Sequence, residues 1–368
     1  RRGSGVVKDI EKAKKRLEAK LQARLNIEKK DDAVTFEELG VDQVFVDEAH
    51  LFKNLFFSTK MTRVAGIPNT ESNRSFDLYM KSQYLIEKNK GRGVVFATGT
   101  PISNSMAEFF TMQRYLQPEI LSEYGISHFD SWAADFGDVV SSLELAPDGS
   151  GYRVNSRFSR FVNIPELMQM FRSVADIQTA EMLNLPRPTI KGGKPETIVS
   201  PASEGLKAYV QTLVKRAEKI KSGGVDPRDD NMLNVTNDGR KAALDPRLAG
   251  MAEDPNGKAN KAVEKVLDIW KRTKKDKGTQ LIFSDLSTPS KDFNVYDDIK
   301  AKMIRGGVPK EEIAFIHSFN TDAQKKTLFD KVNAGKIRVL LGSTGKMGAG
   351  MNVQKKLAAL HHIDAPWR

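Results

Sequence analysis

From Lys258 onward the chain repeats one pattern that admits few architectures. Short apolar runs, "TQLIFS", "IAFIH", "IRVLLGS" and "ALHHID", alternate with stretches of helical periodicity near 258–274, 293–305 and 322–334. Runs this short do not make buried helices, and a strand apolar at consecutive positions has to be covered on both faces. The alternation therefore predicts a parallel sheet flanked by helices, an α/β fold. A weaker copy of the signal lies near the start. "VFV" at 44–46 reads as a short buried strand and "GVVFATGTP" at 93–101 as another. Helices are expected over 76–88 and from about Ser103 to Leu116, the second capped by Ser103 or Asn104. Residues 6–30 place Ile10, Leu17, Leu21 and Leu25 near one helical face among basic residues, which suits a basic helix packed on a core.

Residues 120–256 have a different texture. "SLELAPDGSGYRVNS" and "SGGVDPRDDNMLNVTNDG" are rich in turn formers and are expected to be mobile, with helical patterns at 165–183 and 203–221 between them. The expected organisation is an α/β part over 1–119, a mainly helical insert over 120–256 and a second α/β part over 257–368.

Composition narrows the function classes. The chain has no cysteine, which excludes disulfides and thiolate metal sites and favours a reducing, cytoplasmic setting. No apolar run approaches ~20 residues, so no membrane span is expected. A formal charge of +11 favours a polyanionic partner. The first residue is Arg1 and not Met, so a piece of a longer protein is expected.

Chemistry concentrates at the strand ends. "VFVDEAH" puts Asp47 and Glu48 at the tip of an apolar strand, where nucleotide hydrolases hold a magnesium ion; an acidic turn after a core strand is the plainer alternative. Thr98-Gly99-Thr100-Pro101 is a strand-to-helix turn, and also a good helix start with proline near its first position. Ser343, Thr344, Gly348, Gly350 and Asn352 form a glycine-rich turn whose amides could approach phosphate, with Lys346 adding charge. His317, His361 and His362 lack the carboxylate spacing of a metal site. Trp270 and Trp367 read as core or interface, and the "KRTKKDK" run at 271–277 as a solvated helix end.

The order of these elements is more specific than any one of them. "DEAH" is followed by "FKN", then by "ATGTPISNSMAEFFTMQRYLQP", "QLIFSDL", "GSTGKMGAGMNV" and "HHIDAPW". The series resembles the superfamily 2 helicases, within them the Swi2/Snf2-like DNA translocases, and looks closest to the helicase portion of large phage or mobile-element proteins that also carry an adenine-specific DNA methylase. The resemblance implies two RecA-like lobes, both incomplete here, that use ATP and Mg2+ to move on double-stranded DNA. It implies that Asp47 holds the magnesium through water, that Glu48 orients and deprotonates the attacking water, and that His50 couples the nucleotide site to Thr98, Gly99 and Thr100. It assigns Lys53, Asn54, Ser343, Thr344, Lys346, Gly348, Gly350 and Asn352 to nucleic-acid contact. It further implies a bacterial or phage-encoded cytoplasmic parent with a possible methylase domain in the same chain. Lys346-Met347 departs from the family, where many members have Ala-Gly.

Two family parts are missing from these residues. No Gly-Lys pair is followed by Ser or Thr, so no G-x4-G-K-[ST] phosphate loop is present. The arginine-bearing motif that follows the tryptophan of "DAPW" is also absent, and Arg368 stands too early to replace it. The 368 residues alone are therefore expected to be inactive. A catalytically silent DNA-binding or protein-interaction module and an RNA helicase are the rival readings.

Overall fold

The computed structural model describes residues 34–365 apart from 62–63, 69–70, 146–151, 185–187, 227 and 349, together with Lys15, Glu18 and Ala19. All but three residues of the helix expected over 6–30, and Trp367 and Arg368, lie outside the described residues. The chain divides into two compact units, Arg1–Ala146 with Ser150–Arg187, and Pro147–Gly149 with Pro188–Arg368.

In the first unit, β1 (Val44–Val46) and β2 (Val94–Phe96) pair in parallel, with Val44 opposite Val94 and Val46 opposite Phe96. Helix α1 (Asn73–Lys88) connects them. It starts where Ser72 accepts the Ser75 amide on its side chain, and it buries Leu85 and Ile86. After β2 come α2 (Ala107–Leu116), α3 (Pro118–Glu123) and α4 (Phe129–Phe136). Their large side chains make an aromatic core in which Phe110, Phe129 and Trp132 are fully buried.

The stretch around 142–156 is not simply turn-rich. Strands β3 (Gly137–Leu145) and β4 (Tyr152–Phe161) form an antiparallel hairpin, with Leu143 opposite Val154. Both of those residues are exposed, so neither face of the outer hairpin shows the apolar alternation that marks a half-buried strand. The root of the hairpin is pinned by Phe158, which is buried against Phe129 and occupies the space beside Gly137, where a Cβ would fall 2.1 Å from its ring. Helix α5 (Ile164–Arg172) closes the unit by burying Leu167 and Phe171.

The second unit opens with α6 (Glu204–Lys221), α7 (Met232–Leu244) and α8 (Lys258–Arg272). Helix α7 corrects the expectation of a mobile stretch over 221–240. Asn231 caps it, accepting the amides of Leu233 and Asn234, and Val235 packs against Leu213 and Ala217 of α6. The expected parallel sheet follows: β5 (Thr279–Phe283), α9 (Val295–Arg305), β6 (Ile313–Phe315), α10 (Asp322–Asn333), β7 (Val339–Gly342), α11 (Thr344–Met347) and β8 (Leu357–His362). The strand order is β6-β7-β5-β8, every pair parallel. Alternate side chains enter two separate cores. Ile282, Val339 and Leu341 pack with Val263 and Val266 of α8 and Ile299 and Met303 of α9, whereas Leu281, Phe283 and Leu340 pack with Leu328 and Val332 of α10. Coverage on both faces is why β5, β6 and β7 read as continuous apolar runs; β8, at the edge, departs from the expectation, with alternate residues exposed and Leu360 among them. Among the described residues, no helix is long and apolar enough to cross a membrane.

Candidate functional site

The register of β1 and β2 decides what meets at their carboxyl ends. The ladder continues past the strands: the Ala97 amide donates to Val46 O at 2.9 Å and the Ala49 amide to Ala97 O at 3.0 Å. His50 and Thr98 are each the next residue, so their side chains meet. His50 Nδ1 lies 2.9 Å from Thr98 Oγ1 and 3.2 Å from Glu48 Oε2. Both contacts fall on this one nitrogen, which brings Thr98 and Glu48 together at the strand tips. Thr98 Oγ1 also accepts the Thr100 amide at 3.1 Å, which fixes the turn around Gly99.

Glu48 itself has φ of +50°, a left-handed conformation that costs a side-chain-bearing residue of order 1–3 kcal/mol and tends to occur at functional sites. Its amide donates to Asp47 Oδ1 at 2.9 Å. The strained turn sets Asp47 and Glu48 side by side at the strand tip, the end of a parallel pair where ligands bind in open α/β sheets. Among the described residues, no group of three or more His, Cys, Asp or Glu could enclose a metal ion. The donor set thus does not fit a closed protein cage; a single exposed carboxylate does fit magnesium, which keeps most of its water and shares substrate phosphates.

Lys53 is engaged elsewhere. Its ammonium lies 2.9 Å from Glu108 Oε1 and donates to Ser103 Oγ, with the Lys53 side chain 11% exposed and the Glu108 side chain 5% exposed. Glu108 Oε2 accepts the amides of Ser103 and Asn104 at 2.7 and 3.2 Å. Neither Ser103 nor Asn104 caps α2, which begins at Ala107; the carboxylate of its second residue reaches back to their amides. Burial pushes the Glu108 carboxyl up, but the Ser103 amide, the Lys53 ammonium and the Asn104 amide outweigh it and hold the group below the usual glutamate range. The peptide oxygen of Asn54 accepts the Ser72 amide at 3.0 Å, tying the segment after "DEAH" to the start of α1.

The remaining candidates lie in the second unit, along the segment that leaves the carboxyl end of β7 and returns toward the amino end of β8. Ser343 precedes the one-turn helix α11, whose first amide, on Thr344, donates to Asp285 Oδ1 at 2.6 Å. Asp285 is held by Asp364 at the end of β8, whose carboxylate accepts the amides of Asp285 and Leu286 at 2.9 and 2.8 Å. Gly348 must be glycine, since a Cβ would lie 2.6 Å from Thr344 O, and Gly350 has φ of +72°. Asn352 O accepts Asn333 Nδ2 at 2.6 Å, which anchors the glycine-rich segment to α10. Lys346 is exposed, and a cavity of about 540 Å³ runs between this segment and α10, lined by Lys325, Lys326, Asn333, Lys346 and Asn352. Glu108, Asp285, Asp364 and Asn333 were not among the sequence candidates; an acid inside an apolar helix and acids directly after two apolar strands were the available signals.

Comparison with known proteins agrees with a helicase-like class. A family described as "Probable helicase domain" matches residues 2–179. Over 159 residues the chain is 30% identical to "Defense against restriction protein B" of Escherichia phage P1, an alignment that covers 42% of this chain and 7% of that protein. Both matches support a helicase-like family, and the chain spans a small part of the relative it matches.

Proposed function

We propose that these residues are the core of an ATP-driven motor of the Swi2/Snf2-like type, with RecA-like lobes, that acts on double-stranded DNA. One observation carries the reading most: Glu48, His50 and Thr98 meet through one nitrogen at the carboxyl end of paired parallel strands. Such a contact joins a water-activating acid to the turn that follows the next strand. In this reading Asp47 supplies one oxygen toward a magnesium ion through water. When bound, that ion neutralises charge on the phosphate oxygens. Glu48 orients a water and takes its proton, and His50 holds Glu48 in place while sensing Thr98. Ser343–Asn352 offers amides and the Lys346 charge to a nucleic-acid backbone.

Positioning and charge stabilisation supply nearly all of the rate in phosphoryl transfer. Without a phosphate loop in their sequence, residues 1–368 alone are proposed to hydrolyse no ATP at a measurable rate, and turnover to need a longer chain that supplies it. A phosphate-release assay tests this on the 368 residues, on the longer protein and on its Glu48→Gln variant, each with duplex DNA, duplex RNA or neither. DNA-stimulated release by the longer protein, lost in Glu48→Gln with ATP binding retained, is the expected result. Full turnover in Glu48→Gln would overturn the role of Glu48, and stimulation by RNA alone would overturn the choice of polymer.

A further inference from the structure

Because β5, β7 and β8 run parallel, their amino ends share one end of the sheet, opposite the end at which Ser343–Met347 leaves β7; Asn352, bonded to Asn333, already lies on the return toward the loop that enters β8. The loops that enter them are neighbours there. They carry Lys274, Lys275 and Lys277 before β5, Lys336 before β7, and Lys355 and Lys356 before β8, against a single acid, Asp276. The loops touch one another. A Cβ on Gly335 would fall 2.7 Å from Lys277 Cβ and 3.2 Å from Lys356 Cδ, and Lys356 Nζ donates to Asp276 O at 3.3 Å. Five of the six lysines are exposed and Lys356 is half-buried. Arg338, in the same region, turns inward to the carbonyls of Gly278 and Trp270.

Lysines in the last turn of a helix, such as Lys271 and Lys331, are accounted for by the negative end of the helix dipole. The six loop lysines have no such account. Among the described residues none of the six forms an ion pair, whereas Lys261, Lys265, Lys302 and Lys325 of the same unit each face a carboxylate. Like charges gathered from three loops repel one another, and a polyanion would relieve that repulsion.

We infer that this end of the sheet is a second contact surface for the backbone of duplex DNA, at the opposite end from Ser343–Met347; the inference rests on the DNA-motor reading above. Lysine presents a point charge with donors only, which suits phosphate and reads no base. The loops contain no aromatic residue on which unstacked bases could lie, so a paired backbone fits better than a single strand. Neighbouring strands stand ~4.8 Å apart, so three adjacent loops span ~10 Å. One DNA strand carries a charge about every 3.4 Å of axis, so about three phosphates fall within that span.

The test uses the full-length protein and a labelled duplex of mixed sequence, with affinity read by fluorescence anisotropy between about 50 and 200 mM salt. One variant carries Lys275→Gln, Lys336→Gln and Lys355→Gln, one change per loop. A control carries Lys191→Gln, Lys215→Gln and Lys219→Gln, the same loss of charge elsewhere in the unit. Each phosphate contact contributes ~0.9 to the slope of log affinity against log salt, so the first variant should lose about 2–3 of that slope and the control less than about 1. An unchanged slope in the first variant, or an equal loss in the control, overturns the inference while leaving the motor reading intact. No duplex binding by the unmodified protein overturns both. A variant that keeps its duplex slope but loses binding to labelled polyglutamate would assign the surface to an acidic polypeptide and overturn the choice of DNA.

Discussion

Lys53 shows how far a residue type can be read without its surroundings. In sequence it is the lysine of a lysine–asparagine pair expected near a nucleic-acid groove; in the fold its ammonium is spent on Glu108 and Ser103, with little of it exposed. The partner lies 55 residues away, beyond helix α1, strand β2 and a turn, and no local spacing announces it. By contrast, the meeting of His50 with Thr98 could be anticipated, because both follow apolar strands directly. The buried pair predicts its own energetics. Removing one member leaves the other charge without compensation, so Glu108→Gln and Lys53→Met should each cost about 3–5 kcal/mol, seen as a lower midpoint in urea unfolding. Glu108 also makes stability depend on pH. Its folded carboxyl titrates below the unfolded one, so its contribution is present above the usual glutamate pKa of ~4.3 and is lost as pH falls through the depressed value. The unfolding midpoint of the unmodified chain should therefore drop between pH 5 and pH 3 more than that of Glu108→Gln; equal drops would remove Glu108 as the source.

At the scale of elements, legibility followed coverage. Strands buried on both faces announce themselves, and β5 and β7 lie within the runs read from sequence. The β3–β4 hairpin did not, because its outer cross-strand pair is solvent-exposed and its turn formers dominate the reading. Helix α7 was hidden by Asn234, Thr236, Asn237 and Gly239, which argue for turns locally but here sit in a capped helix whose Val235 packs on Leu213 and Ala217 of α6. Element packing also constrains the end of β7. A Cβ on Gly342 would fall 2.5 Å from Ile316 Cγ2 and 2.6 Å from Met347 Sδ, between the β6 exit and α11. Gly342→Ala should cost about 1–3 kcal/mol by overpacking. If Ser343–Asn352 contacts DNA as proposed, displacing α11 should also weaken duplex binding, so thermal unfolding and anisotropy would both register the change; a variant as stable as the unmodified chain would show that this junction yields. On β8, His361 Nε2 lies 2.9 Å from Gln280 Oε1, and burial first, then the nearby Lys265 and His362, push its pKa down to about 4. A depressed histidine favours the unfolded state once that state protonates, so stability should be full above ~6.5 and fall as pH drops from there toward 4. His361→Gln should flatten that part of the profile in unfolding measured at pH 7, 6 and 5.

For the whole molecule, the parallel α/β character of the second unit was plain in the repeat of strand and helix, while the division of the chain was less so. The chain passes from the first unit to the second at residue 188, inside what reads in sequence as one uniform stretch. Each has its own core, an aromatic one around Trp132 in the first and two aliphatic layers around the sheet in the second. The start of the second unit, 188–199, is exposed and forms neither helix nor strand, and Glu196 pairs with Lys265 at 2.7 Å. A backbone with no ladder bonds and no buried side chain can enter a protease site without unfolding either core. Within 188–195 trypsin has two basic residues to choose from, and Lys194 is followed by Pro195, which leaves Lys191. Among the described residues, the first tryptic cut is therefore expected after Lys191, ahead of any cut in 204–221 or 258–272, where lysines sit within helices. Brief digestion followed by intact-mass measurement reads the order of cutting. The product beginning at Gly192 should resist further digestion and unfold cooperatively in urea, because both layers of the sheet lie within it. An earlier cut inside 258–272, or a non-cooperative product, would show that the second unit depends on the first for its fold.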